Sequence, residues 1–200
     1  MAVSIDDIKK LKELTGIGLT DAKAALVAAD GDFDKALQAL RKKGVTRAEK
    51  KGDREAREGL IDSYVHSGRI GVLVEVNCET DFVARLDAFK TFAHEIALQV
   101  AAMAPIYISE ADIPASELER VRAEAMERVV AEGKPAELAA KIVAGQVKKN
   151  FDEKVLLNQT YIKNDKQTVN DFLKENVAIL GENIVIRQFK RIELGVSEQN

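Results

Sequence analysis

Several residues have types and spacings that carry chemistry in other settings, and each also has a plainer use. Cys78 and His66 are the elements of a thiol–imidazole pair, and a cysteine is the best nucleophile at neutral pH. Nothing near them supplies a third group to orient the base, so a small buried apolar cysteine is the simpler expectation. Glu75, Glu79 and Asp81 offer carboxylates for acid–base work, yet alternate residues share a face only while a strand lasts, and Asn77-Cys78 is expected to end it. They read as solvated or capping carboxylates. His94-Glu95 opens an H-E-x-x-H pattern, but the fifth residue is Leu98 and the second imidazole one turn on is missing. No metal and no cofactor are expected. Gly133-Lys134 is preceded five residues earlier by Arg128 and followed by Pro135, which is not a phosphate-wrapping loop. Gly16-Ile17-Gly18 follows a helical pattern instead of a strand and reads as punctuation.

The string Asn77-Cys78-Glu79-Thr80-Asp81-Phe82-Val83-Ala84-Arg85 places a large aromatic beside an acid at a strand-to-helix turn. Thr80 or Asp81 suits a helix cap, and Phe82 either fills the core or faces outward as an anchor for a partner. The sequence pattern leaves both uses open.

Three short helices are expected ahead of this string. Ser4 with Asp7 resembles a capping box and opens a helix to about Leu14; Thr20 is expected to cap a second carrying Ala22, Ala25, Leu26 and Ala29. Asp32 or Phe33 opens a third, with Phe33, Ala36, Leu37 and Leu40 inward, stopping at Gly44. Arg41 to Arg57 then holds eight Lys/Arg against three Asp/Glu, a local balance of +5. That charge reads as a linker or solvated helix; an RNA-contacting arm would want aromatics for stacking, which are absent.

Beyond the basic run the period falls to two, with a strand to Ser67, a turn at Gly68 and a strand over Ile70–Asn77. Leu86 to Ala104 returns to helical spacing before Pro105. Ser116 is expected to cap a further helix with Leu118, Val121, Ala125 and Val129, and Pro135 to sit in the first turn of another reaching about Val147, the two separated by Gly133-Lys134-Pro135. A polar, irregular stretch precedes a short helix from Thr168, and Ile184–Ile192 closes the chain as a strand. Helical hairpins between strands, without repeating strand-helix-strand units, argue for an α+β fold on an antiparallel sheet.

The chain has 200 residues, 46% of them hydrophobic, enough for a packed core. A net charge of −3 excludes a uniformly basic nucleic-acid coat. One cysteine forms no internal disulfide, the first ten residues hold no apolar leader segment, and no apolar run reaches bilayer length. A cytoplasmic protein without a membrane segment is expected.

The string at Asn77–Arg85, together with Leu14-Thr15-Gly16-Ile17-Gly18-Leu19-Thr20-Asp21-Ala22-Lys23 and Gly31-Asp32-Phe33-Asp34-Lys35-Ala36, resembles the translation elongation factor Ts family. The likeness continues through His66-Ser67-Gly68-Arg69-Ile70-Gly71-Val72-Leu73-Val74-Glu75 and Leu157-Asn158-Gln159-Thr160-Tyr161 over nearly the whole chain. It implies a ubiquitin-associated-like three-helix module over residues 1–44, a basic linker over 45–57, an α+β core with a helical hairpin over 58–195 and a tail at 196–200. It also implies a partner, the GTPase elongation factor Tu, on which such a protein exchanges guanine nucleotide without covalent catalysis. Thr80, Asp81, Phe82 and Val83 match the segment that presses beside the magnesium site of the GTPase. Leu19 and Lys23 match its N-terminal contact, and His66 matches a contact to another of its domains. The chain resembles a short form lacking a second core subdomain, for which a homodimer in a two-plus-two complex is expected, with no direct nucleic-acid contact.

Overall fold

A computed structural model of the chain describes residues 3–132 and 135–196. They form two compact units, the first within residues 3–98 and 170–196, the second within residues 99–132 and 135–169.

The first unit opens with three helices, α1 (Ile5–Thr15), α2 (Leu19–Ala28) and α3 (Phe33–Glu49). Ser4 caps α1 by accepting the Asp6 amide at 3.2 Å, and Gly16 closes it. The second helix begins at Leu19 behind Gly18, which offers no side-chain cap, so Thr20 lies inside the helix instead of capping it. Asp32 caps α3 by accepting the Lys35 amide at 3.0 Å, and that amide bond, with the Lys35 ammonium beside it, holds its carboxyl below the usual range. Leu11, Ala22, Leu26, Ala36 and Leu40 interlock as this bundle's core. The third helix does not stop at Gly44 but runs to Glu49. One mid-helix glycine costs only about 1 kcal/mol relative to alanine, and a Cβ there would meet Ala178 at 3.3 Å.

An antiparallel hairpin follows, β1 (Glu58–His66) and β2 (Ile70–Cys78), joined by a turn in which Ser67 and Gly68 both take positive φ, as a type I′ geometry demands. At the far end a Cβ on Gly59 would lie 2.1 Å from the Val76 carbonyl oxygen, so only glycine fits there. Val72, Val74 and Val76 of β2 are buried on one face. A single-turn helix, α4 (Asp81–Ala84), separates the hairpin from α5 (Asp87–Met103), which buries Phe89, Phe92, Ala93 and Ile96 at helical spacing. His94 joins α5 to β1 through the Asp62 carboxylate at 2.8 Å, with the Tyr64 ring edge-on beside it. The residue that suggested half a zinc motif is thus a tie between helix and sheet.

In the second unit, α6 (Ala115–Ala131) and α7 (Ala136–Asp152) form the expected helical hairpin. Val121, Ala125 and Val129 on one helix meet Ala139, Val143, Val147 and Phe151 on the other, each set four residues apart. Pro114 and Pro135 stand at the N-caps. Ser116 therefore falls inside α6, Pro135 just before α7, and α7 extends five residues past Val147. Gly133 and Lys134, read as the break in the hairpin, lie outside the described residues. The stretch expected to be irregular holds a small hairpin, β3 (Thr160–Tyr161) with β4 (Asn164–Thr168). Buried Gln99 anchors it, donating to the Gln159 side chain and the Thr160 carbonyl and accepting the Ile162 amide at 3.0 Å.

The chain returns to the first unit through α8 (Val169–Leu180), whose Phe172 ring lies 5.3 Å from that of Phe92. Finally β5 (Val185–Glu193) pairs antiparallel with β2, giving the sheet order β1-β2-β5. Among the described residues the fold is therefore α+β on an antiparallel sheet, as expected.

Candidate functional site

The strand-to-helix string becomes a short, tightly tied projection. Cys78 ends β2 fully buried, and its thiol donates to the Thr80 carbonyl at 3.1 Å. Burial, reinforced by the negative charge of Glu182, pushes that thiol up to about 11, so it stays protonated at neutral pH and is a poor nucleophile. Thr80 is the N-cap of α4, its hydroxyl accepting the Val83 amide at 3.4 Å. The Asp81 carboxylate lies 2.8 Å from the Arg85 guanidinium one turn on.

Four residues are too few to hold a helix on their own, since nucleation fixes several dihedrals for one hydrogen bond. The turn α8–β5 supplies the missing support. The Glu182 carboxylate accepts the Glu79 amide at 3.1 Å, the Thr80 amide at 3.0 Å and the Thr80 hydroxyl at 2.7 Å. Asn183 donates its own amide to Glu79 Oε1 at 2.6 Å, and its side chain donates to the carbonyls of Gly52 and Arg54 at 3.2 and 2.6 Å. Neither residue stood out in the sequence. They lie about a hundred positions from the string they hold, and no local spacing signals such a bond.

Successive residues of a helical turn point about 100° apart, so neighbouring Phe82 and Val83 face different directions. Val83 takes the inward place at 8% exposure and Phe82 the outward one at 77%. Of the two placements left open by the sequence, the outward one is found.

The other expected contact residues sit elsewhere in the first unit. Leu19 and Lys23, four apart on α2, form an exposed stripe that adjoins the buried Ala22 and Leu26. His66 ends β1, exposed, with its Nδ1 2.9 Å from the Tyr64 hydroxyl. In the β1–β2 register His66 pairs with Ile70 and Glu58 with Cys78, so His66 and α4 occupy opposite ends of the hairpin. Eight strand steps separate those ends by roughly 27 Å. The structure gathers Thr80–Val83 into one projection and leaves His66 and the α2 stripe as separate surfaces.

The basic run is partly consumed within the chain. Lys51 donates to the Gly181 carbonyl, Arg54 pairs with Glu79 at 3.5 Å, and Arg57 pairs with Glu55 at 2.6 Å. The side chains of Arg41, Lys43 and Arg47 lie outside the described set. Among the described residues no three or more His, Cys, Asp or Glu side chains are placed to hold a metal ion, and no helix is long and apolar enough to cross a membrane.

Comparison with known proteins places this geometry in context. A family model described as elongation factor TS matches residues 42–196. The elongation factor Ts of Thermoanaerobacter sp. (strain X514) is 51% identical over 194 residues, covering 96% of this chain and 95% of that protein. The one from Coprothermobacter proteolyticus is 48% identical over 196 residues, 98% of this chain and all of that protein. The one from Carboxydothermus hydrogenoformans is 50% identical over 189 residues, 94% of this chain and 87% of that protein.

Proposed function

The chain belongs to the elongation factor Ts family, and from that premise we propose that it is a guanine-nucleotide exchange factor for elongation factor Tu. It promotes GDP release by disturbing the magnesium and phosphate site of the GTPase and so allows reloading with GTP. The observation that carries this reading is Phe82: a large aromatic held outward on a single tied helical turn, unused by its own core.

Exchange needs no covalent step. By linkage, a partner that weakens nucleotide binding is itself bound less tightly by the nucleotide-loaded GTPase. Magnesium bridges phosphate oxygens and neutralises their charge, so a side chain that displaces it leaves the diphosphate less well held. Phe82 supplies the wedge and Asp81 a polar contact, while Thr80 and Val83 shape and root the turn. Leu19 and Lys23 provide a second contact, and His66 a third at the other end of the hairpin. The test is stopped-flow release of a fluorescent GDP from elongation factor Tu. Acceleration by catalytic amounts of the chain is expected, as is co-purification of the two proteins that added GDP disrupts. A release rate unchanged at a tenfold excess of the chain would end this reading.

The second proposed partner is another copy of the chain. On the sheet face opposite the buried valines, Ile61, Val65, Leu73 and Ile192 are all exposed. Leu73 pairs with Ser63 and Lys190, and Glu75 with Ile61 and Gln188, so the face carries an acid and a base around an apolar centre. A two-fold axis through such a face sets Glu75 of one copy toward Lys190 of the other and covers the leucine. Light scattering is expected to give twice the 22.0 kDa chain mass. Leu73→Lys, placed at the centre of the face, is expected to return a folded monomer, and a wild-type mass of one chain at all concentrations would exclude the dimer.

A further inference from the structure

We propose that Glu182 is a positioning residue for nucleotide exchange, fixing the turn that presents Phe82; this rests on the exchange reading above. Three donors converge on its carboxylate, from the Glu79 amide, the Thr80 amide and the Thr80 hydroxyl, all within 3.1 Å. Hydrogen bonds to an ionised acceptor are about twice as strong as neutral ones, and these three act on the two residues between β2 and α4. Asn183 closes the arrangement from the same turn: its amide bonds Glu79 Oε1, so each segment donates to the other's carboxylate.

The arrangement has a mechanical sense. Phe82 is largely exposed, so its aim is inherited chiefly from the backbone beneath it. That backbone is a four-residue helix whose start is Thr80, and Thr80 is held on both its amide and its hydroxyl by one carboxylate. Functional side chains must be held within about 0.5 Å of their productive place, and displacement by 1 Å costs about a hundredfold in rate. Glu182 therefore acts through Phe82 without touching the partner. The Asn183 bonds to Gly52 and Arg54 also anchor the chain leading from the N-terminal helices to this same point.

The experiment is a double-mutant cycle on the full chain, read by GDP release and by amide hydrogen exchange. Glu182→Ala is expected to slow stimulated release about ten- to a hundredfold and to remove protection from the amides of Glu79 and Thr80. Glu182→Gln keeps an oxygen for the two amides and turns an N–H toward Thr80 Oγ1, which accepts it, so most of the rate is expected to return. In a Phe82→Ala background, Glu182→Ala is expected to add little. Full multiplication of the two defects, or unchanged amide protection in Glu182→Ala, would overturn the assignment. If Glu182→Ala does not fold, Thr80→Val, which loses the hydroxyl, and Thr80→Ser, which keeps it, replace it in the cycle with the same opposed outcomes. If the wild-type chain fails to release GDP, the exchange reading falls alone, and the protection of the two amides still decides whether Glu182 holds the turn.

Discussion

Phe82→Ala is expected to melt at the wild-type temperature and to stimulate GDP release about ten- to a hundredfold less. The two halves of that result come from one observation, the 77% exposure of the ring. An aromatic in the core costs about 3 to 5 kcal/mol on truncation, because its transfer energy and the cavity both count. Phe92, at 1% exposure on α5, is of that kind. Phe82 leaves no cavity, so its removal falls within the roughly 0.5 kcal/mol expected of surface changes. What it loses is burial in the partner, worth roughly 1.5 to 3 kcal/mol for a side chain of this size, which is the stated factor in rate if the burial is realised only as nucleotide leaves. Asp81→Ala is expected to deepen the defect through the lost polar contact; its ion pair to exposed Arg85 adds little to stability. Thermal unfolding and stopped-flow release on the same protein read both halves. A variant with wild-type stability and wild-type release would remove the role from Phe82 while leaving family membership intact.

Helix and strand positions were legible in the sequence wherever a period ran long enough. The three N-terminal helices, the hairpin around Gly68 and the α6–α7 pair all follow from apolar spacing, because burial on one face leaves its mark at every turn or every second residue. Ends were less legible. Gly44 reads as a stop and is not one, since the energy of a single glycine is small beside seventeen residues of helix. Thr20 and Ser116 are chemically good caps placed one or two residues inside their helices, after Gly18 and Pro114 had already turned the chain. The hairpin at residues 160–168 was hidden because its strands are short and polar and its support comes from Gln99, far back in the sequence. At the candidate site the same division holds. Thr80 as a cap was readable from its residue type and position, whereas the outward aim of Phe82 was not, because a turn of four residues has no periodicity to show a face. Glu182 was invisible for a different reason: a carboxylate after a helix resembles any solvated acid until the chain folds it against Thr80.

Removing residues 1–50 is expected to leave a folded remainder whose exchange activity is lowered about 10²- to 10³-fold. The fold survives because Leu11, Ala22, Leu26, Ala36 and Leu40 pack with one another and are lost together, leaving no gap in the sheet or in α5. The cut belongs at 50, since Gly52 and Arg54 give their carbonyls to Asn183, which in turn holds Glu79; a deletion through residue 53 would loosen the Phe82 turn as well and confuse the two effects. What is lost with the bundle at the boundary is its packing on α8, where Gly16 and Gly44 lie against Ile179 and Ala178, and the exposed pair of Glu49 with Lys174 at 3.0 Å. The size of the functional loss follows from the energy an exchange factor must supply. Moving a two-state equilibrium from one side to the other takes a differential of about 10⁴, or about 5.5 kcal/mol. Phe82 accounts for roughly half of that at most. The remainder must come from surfaces elsewhere, and the Leu19 and Lys23 stripe on α2 is the strongest candidate for the larger share of it. A truncated chain that is unfolded would contradict the proposed division into module, linker and core. One that exchanges at the full rate would place the missing energy on the core alone, at His66 and the far end of the hairpin, and would make the N-terminal helices dispensable for the reaction.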